Sequence, residues 1–302
     1  MTATQPRVSI ITPSLNSGRF IADCLASVAA QSYPDIEHIV VDGESTDETA
    51  SVLARHARPG LRVIVRKDRS MYEAINAGLD VASGEVVACL NADDLYFPDA
   101  VRLVVDALDA NPSVDILFGD QLSLFTTRES FKLGYHPAEN VDPWGRVLVY
   151  ISQPSVFLRK RVFERVGGFD AELRAAADFD YWIRAFRAGA VFKKLRRIVV
   201  LVRMHGENLS LTDAWQREHR ELKDRYLGMG LARGFWERRR LLRRRILHNP
   251  MTIPVFMRRL PREAVSFRLG AYYSYLVRRS RSATPILSVR LPYFSYDAFR
   301  AL

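Results

Sequence analysis

Two adjacent carboxylates, Asp93 and Asp94, close the apolar run Val86-Val87-Ala88-Cys89-Leu90, with the amide of Asn91 just ahead of them. Side-by-side acids repel unless a cation or hydrogen-bond donors offset their charge. Hard oxygen ligands of this kind suit Mg2+ or Mn2+. An isolated Asp-Asp pair would do no more than cap the helix expected near Pro98. Here other polar residues recur in the same setting: Ser14 and Asn16 follow the run from Val8 to Pro13, Asp42 follows Ile36 to Val41, and Asp68 follows Leu61 to Val65. Further on, Asp178 and Asp180 open a helical pattern, where negative charge is favoured by the helix dipole and the unpaired N–H groups. One of these two acids is expected only to cap. A lone histidine is more often structural than a ligand, but His205 follows the run from Ile198 to Val202 and precedes a flexible turn, which keeps it as a candidate ligand.

The elements that must position these residues are legible from periodicity. Short apolar runs bounded by turn residues read as strands, and the run from Val86 to Leu90 as one buried on both faces. Between them lie helical patterns: Phe20, Ile21, Cys24, Leu25 and Val28 share one face, a second helix begins near Glu48 with Thr46 or Asp47 able to cap it, and a third runs from Met71 to Ser83. The order β-α-β-α-β-α-β predicts a parallel, doubly wound α/β sheet with right-handed crossovers. The turns after successive strands then share one edge, where ligands of such sheets bind. Pro98 to Ala110 reads as a helix and Val114 to Phe118 as a strand. Gly119 to Trp144 is mixed and polar, with the character of a lid or acceptor loop. Strands resume at Gln153 to Leu158 and at Ile198 to Val202, and Trp215 to Tyr226 is a polar helix.

The 302 residues suffice for one large domain or for one domain plus an appendage. Charge is uneven. Residues 216–302 carry 20 Lys+Arg against 6 Asp+Glu, a net +14, whereas residues 1–215 carry 24 against 28, a net −4. A division into an acidic-site domain, 1–215, and a basic helical region, 216–302, follows. Trp236 to Leu247 pairs Arg clusters with Leu, Ile and Trp, the mix suited to an anionic membrane surface. A helical appendage packing on the domain itself or on a second subunit, as a homo-oligomer, is the competing reading. Nucleic acid is not expected, because no recognition motif accompanies the charge. No run is long enough for a membrane span and the N-terminus carries no secretory signal pattern. Cys24 and Cys89 lack metal spacing and read as core thiols of a reducing compartment. The expected location is cytoplasmic, peripheral on the inner face of the cell membrane.

The chain resembles the family 2 glycosyltransferases of the GT-A fold. The matching stretches are Val8-Ser9-Ile10-Ile11-Thr12-Pro13-Ser14-Leu15-Asn16, Val41-Asp42-Gly43-Glu44-Ser45-Thr46-Asp47-Glu48-Thr49, and Lys67-Asp68-Arg69-Ser70-Met71-Tyr72-Glu73-Ala74-Ile75-Asn76-Ala77-Gly78. They continue through Ser83-Gly84-Glu85, Leu90-Asn91-Ala92-Asp93-Asp94, Val166-Gly167-Gly168-Phe169-Asp170 and Ala177-Asp178-Phe179-Asp180. Each is weak alone; together, in the family's order, they are specific. They span about Val8 to Leu211, and the basic tail matches no motif of the family.

The resemblance implies transfer of a sugar from a UDP- or GDP-sugar to an acceptor hydroxyl of a glycan or lipid-linked acceptor, usually with inversion, in cell-surface polysaccharide or glycolipid synthesis. It assigns Asp42 to the nucleotide base, and Pro13, Ser14 and Asp68 to the nucleotide pocket. Asn91-Ala92-Asp93 matches the Asp-x-Asp element with Asn for its first Asp. Asn91 is then a ribose partner, Asp93 the main ligand of Mn2+ or Mg2+, and Asp94 its support. His205 stands where relatives carry a late His near the diphosphate. Asp178 matches the catalytic base, although the Glu usually before it is Ala177; Asp180 is the alternative. Two rival readings fit the sequence less well. A sugar-phosphate nucleotidyltransferase needs a Gly-rich, Arg-containing loop after the first strand, and Ser14-Leu15-Asn16-Ser17-Gly18 is not one. A catalytically silent nucleotide-sugar-binding protein would not need Asp93 and Asp178 intact.

Overall fold

A computed structural model describes residues 7–126, 131–136, 151–227 and 286–289, with side chains described for 7–124 and 151–226. Four strands come first: β1 (Val8–Ser14), β2 (Ile36–Asp42), β3 (Leu61–Val65) and β4 (Val86–Cys89). They lie side by side in the order β3-β2-β1-β4, all parallel. Three helices connect them: α1 (Ile21–Ala29), α2 (Thr49–Arg55) and α3 (Met71–Val81). This is the expected alternation, and its parallel register aligns Ser14 with Asp42 at the ends of β1 and β2.

Every residue of β1 and β4 is buried, so the strands need apolar residues on both faces. The period of two then divides them. Ile11, Val87 and Cys89 face a core with Ile75 and Leu79 of α3. Ile10, Val86 and Ala88 face another with Cys24 and Val28 of α1. Burying each large aliphatic side chain is worth about 1.5–3 kcal/mol. Gly78 permits a close approach of α3: a Cβ there would stand 2.5 Å from Cγ2 of Ile11.

The second half holds β5 (Leu95–Tyr96), α4 (Ala100–Asp109), β6 (Ile116–Thr126), β7 (Phe131–His136), β8 (Val156–Arg159), α5 (Lys160–Val166), α6 (Ala177–Arg187), β9 (Phe192–Met204), α7 (Asp213–Leu227) and β10 (Ile286–Val289). The sheet continues from β4 through antiparallel β8 to β6, which runs parallel to β9. The first four strands, β6 and β9 therefore all end on one edge. α4 packs on the α1 face, and α5 and α6 pack on the α3 face.

Several elements differ from expectation. The two-residue β5 pairs with β9 directly after the acidic loop, a strand too short to leave a periodic signal. Gly119 to Trp144 is not one loop: β6 runs on to Thr126 and β7 returns beside it. The rest of that stretch lies outside the described residues. Within the basic region, 286–289 is a strand paired with β7 rather than helix. The Arg-rich segment from Trp236 to Leu247 lies outside the described residues. α7 crosses residue 215 and packs on α6, with Leu222 in one cluster with Ala176, Phe179 and Ile183.

Candidate active site

The loops after β1 and β2 are built as one unit. Asp42 is buried; one carboxylate oxygen accepts the Ser45 hydroxyl at 2.6 Å and the other the Ser45 amide at 3.0 Å. Asn16 adopts φ +49°, a conformation Asn tolerates better than most residues. Its amide donates to Ser45 Oγ at 2.8 Å, and its Oδ1 accepts the Thr46 amide at 2.9 Å. The Gly43 amide donates to the Ser14 carbonyl at 2.8 Å. Asp47 accepts the amides of Gly18 and Thr49, so it ties the α1 entry to the start of α2 and supplies the expected cap. Pro13 and Ser14 end β1 beside Val41 and Asp42. The Ser14 hydroxyl is buried without a hydrogen-bond partner in the protein, leaving it able to bond a ligand.

Asp68 lies between β3 and α3, 2.8 Å from Arg66. Burial holds its carboxyl above the usual range, and the Arg66 charge pulls the other way. The helix that follows starts on a capping interaction: Ser70 Oγ accepts the Glu73 amide at 3.2 Å, and Glu73 accepts the Arg69 amide at 2.7 Å.

After β4 the acids part company. Asp93 is about a quarter exposed. Its Oδ2 lies 2.9 Å from His205 Nε2 and accepts Asn208 Nδ2 at 3.3 Å. Asp94 is buried, and both its oxygens are engaged: one accepts Asn91 Nδ2 at 3.0 Å, the other the Arg203 amide at 3.1 Å. Burial, and then the neighbouring Asp93 charge, push its carboxyl well above the ordinary value. Asp94 thus serves by locking Asn91 and the end of β9, rather than by turning a free oxygen to the edge. Asn91 keeps its own Oδ1 buried and unpartnered.

His205 is placed from β9. Its amide donates to Asn208 Oδ1 at 2.8 Å, and Asn208 Nδ2 donates to the Arg203 carbonyl at 2.7 Å. Phe20 stacks on the imidazole with centroids 4.7 Å apart. Arg203 lies over the same Phe20 ring and pairs with Asp23 of α1. The His205 Nδ1 atom is buried without a hydrogen-bond partner.

Asp178 is reached through other contacts. It lies in the first turn of α6, half-buried, and accepts the Phe179 amide at 2.8 Å. Burial lifts its carboxyl to about 6, against the lowering effect of backbone amides and the Tyr72 hydroxyl. Asp180 is settled differently: one oxygen pairs with Arg184 at 2.6 Å and the other accepts the Tyr226 hydroxyl at 2.5 Å. Arg184 also donates to the carbonyls of Val166 and Gly168. Asp180 therefore fastens α6 to its surroundings. Tyr72, Asn208 and Phe20 were not anticipated from the sequence as site residues; Asn208 sits in the turn that follows His205.

Among the described residues no cluster of three or more His, Cys, Asp or Glu forms a preassembled metal site. The donors present still fit Mg2+ or Mn2+. Such ions commonly take only one or two carboxylates from the protein and complete their shell with phosphate oxygens and water. Asp93 faces the Nε2 atom of His205, so the pair offers one carboxylate and one imidazole nitrogen at the same place.

A sequence profile described as Glycosyl transferase family 2 matches residues 9–167. The PGL/p-HBAD biosynthesis glycosyltransferase of Mycobacterium tuberculosis is 33% identical over 201 residues, 65% of this chain and 75% of that protein. Among solved structures, Staphylococcus aureus TarS 1–349 in complex with UDP-GlcNAc aligns with TM-score 0.57 and 18% identity, over 92% of this chain and 88% of that one. The mannosyltransferase PcManGT from Pyrobaculum calidifontis, in complex with GDP-Man and Mn2+, aligns with TM-score 0.53 and 23% identity, over 66% of this chain and 57% of that one. At these identities the two structures speak for the fold.

Proposed function

We propose that this chain, which belongs to glycosyl transferase family 2 and has the GT-A fold, is a metal-dependent inverting hexosyltransferase. Its donor is a UDP- or GDP-sugar, and its acceptor is a hydroxyl of a surface glycan or lipid-linked saccharide. The similar structures bound to UDP-GlcNAc and to GDP-Man with Mn2+ support that donor class. Asp42, Ser14, Pro13, Asp68 and Asn91 hold the nucleoside. Asp93 and His205 hold the cation, with Asp94 setting Asn91. A bound divalent cation offsets charge developing on the departing diphosphate, worth several kcal/mol.

The acceptor hydroxyl is a poor nucleophile, and Asp178 takes its proton as it attacks the anomeric carbon. A base is most effective when its pKa lies near the working pH. Asp178, lifted to about 6, is ionised at neutral pH yet basic enough to hold the proton it receives. The match to the family profile over residues 9–167, together with Asp93 held against His205 at the strand edge, is the observation that carries the reading.

Of the basic region 216–302, the Arg-rich stretch from Trp236 to Leu247 is proposed to lie on the anionic inner face of the membrane, within reach of a lipid-linked acceptor, while α7 packs on α6. Among the described residues no helix is long and apolar enough to cross a membrane. Removing residues after Glu237 should release the protein from anionic vesicles; unchanged co-sedimentation would contradict this part. The central test is a thermal-shift screen of UDP- and GDP-sugars with and without Mn2+, since a ligand of the folded state raises its midpoint. A Mn2+-dependent rise with one donor, followed by product of inverted anomeric configuration, is expected. Binding without transfer to any acceptor would point instead to a silent binding protein.

A further inference from the structure

The eight residues before α6, Phe169 to Ala176, are gripped from two sides. At their start, Asn76 of α3 brackets Phe169: its Nδ2 donates to the Phe169 carbonyl and its Oδ1 accepts the Phe169 amide, both at 2.8 Å. Ser70 Oγ donates to the Ala171 carbonyl at 3.0 Å. At their end stands Glu218 of α7. One carboxylate oxygen accepts the Arg174 amide at 2.9 Å; the other accepts the amides of Ala175 and Ala176 at 2.8 and 3.0 Å. Glu218 is only 7% exposed.

Burying a carboxylate is costly unless hydrogen bonds compensate it. Here three backbone donors do so, and hydrogen bonds to a charged acceptor are roughly twice as strong as neutral ones. The residue at the start of α6, Ala176, has no side chain able to cap. The anion that steadies this helix entry therefore comes from α7. The same face of α7 continues the grip at helical spacing. Trp215 and His219 stack, His219 lies 4.2 Å from the Phe179 ring, Leu222 packs on Ala176 and Phe179, and Tyr226 bonds Asp180.

We propose that Glu218 is a positioning residue for Asp178: it fixes the backbone of residues 174–176 and so sets where the Asp178 carboxyl stands relative to Tyr72 and the acceptor. The assignment rests on the reading of Asp178 as the base. It also makes α7 part of the reaction machinery.

The test compares full-length wild type, Glu218→Gln and Glu218→Asp. Three readouts are taken: the 13C-carboxyl NMR titration of Asp178, UDP binding in the presence of Mn2+, and transfer kinetics with the donor that the thermal-shift screen selects. Gln offers an NH2 where amide donors need an acceptor; Asp keeps the charge but withdraws it. The titratable group facing Asp178 is Tyr72 from α3, and the Glu218 charge from α7 acts on Tyr72. Loosening the loop admits water, so the Asp178 titration should move down by half a pH unit or more in both variants. Turnover should fall at least tenfold, with donor KM and UDP affinity within twofold of wild type.

An unmoved titration in both variants, or a loss confined to KM, overturns the proposal. Unfolding of both variants makes Glu218 purely structural and also overturns it. Failure of the underlying reading looks different: Asp178→Asn would retain turnover whatever Glu218 does.

Discussion

The acids after β4 and the acid at the start of α6 are held by different means. Asp93, Asp94 and Asn91 follow a strand buried on both faces, and their partners His205 and Arg203 come from the end of β9. Strand ends in a sheet have little freedom, so the chain need only place the right residue after each strand. Asp178 instead follows a long turn, and its place depends on side chains from α3 and α7. Sheet-borne groups suit rigid tasks such as holding a nucleotide and a cation. A carboxylate at a helix start can be shifted by its surroundings, and burial raises that of Asp178.

The largest expected effect breaks the comparison at its functional end. Asp178→Asn should lower turnover by about 10²–10⁴-fold while leaving Mn2+-dependent nucleotide binding near wild type. Asp93→Ala should do the reverse at the binding step, abolishing the Mn2+ dependence of nucleotide affinity in calorimetry. Asp180→Asn sharpens the contrast within one helix turn. It loses charge pairing to Arg184 and Tyr226, so it should lower the melting temperature and reduce turnover far less than Asp178→Asn.

The same contrast explains what the sequence could and could not reveal. Polar residues that end apolar runs announced the edge that carries Ser14, Asp42, Asp68, Asn91 and Asp93, because burial and turn chemistry leave local marks. One partner of Asp180, Arg184, stands four residues on and is a local mark; the other, Tyr226, lies 46 residues further along the chain and leaves none. Glu218 was illegible for the same reason, being one acid in a polar helix until α6 is packed against it. The unlike fates of Asp93 and Asp94 depend on where β9 delivers the Arg203 amide. β5 was too short, and the β6 extension too polar, for periodicity to register.

Stability supplies a further distinction. The Asp178 carboxyl rises from 3.8 to about 6 on folding, so between those values the folded state binds more protons than the unfolded one. Stability contributed by this group is therefore greatest below pH 3.8, is lost as pH climbs towards 6, and its full cost is present at pH 7. Asp178→Asn removes that cost and should raise stability at pH 7 by on the order of 1–3 kcal/mol, read by denaturant unfolding, as activity disappears. The smallest effect belongs to the scaffold: Gly78→Ala must push Ile11 aside and should cost about 1–3 kcal/mol with the site chemistry otherwise intact.

The division of labour between the strand-borne acids and the acid at the helix start is tested most directly by anomalous diffraction at the manganese edge from crystals grown with UDP and Mn2+. The account predicts one peak within bonding distance of an Asp93 oxygen and of the UDP diphosphate, with the Asp178 carboxyl open to the space beyond the diphosphate. A peak bound to Asp178, or a diphosphate seated away from Asp93, would contradict it.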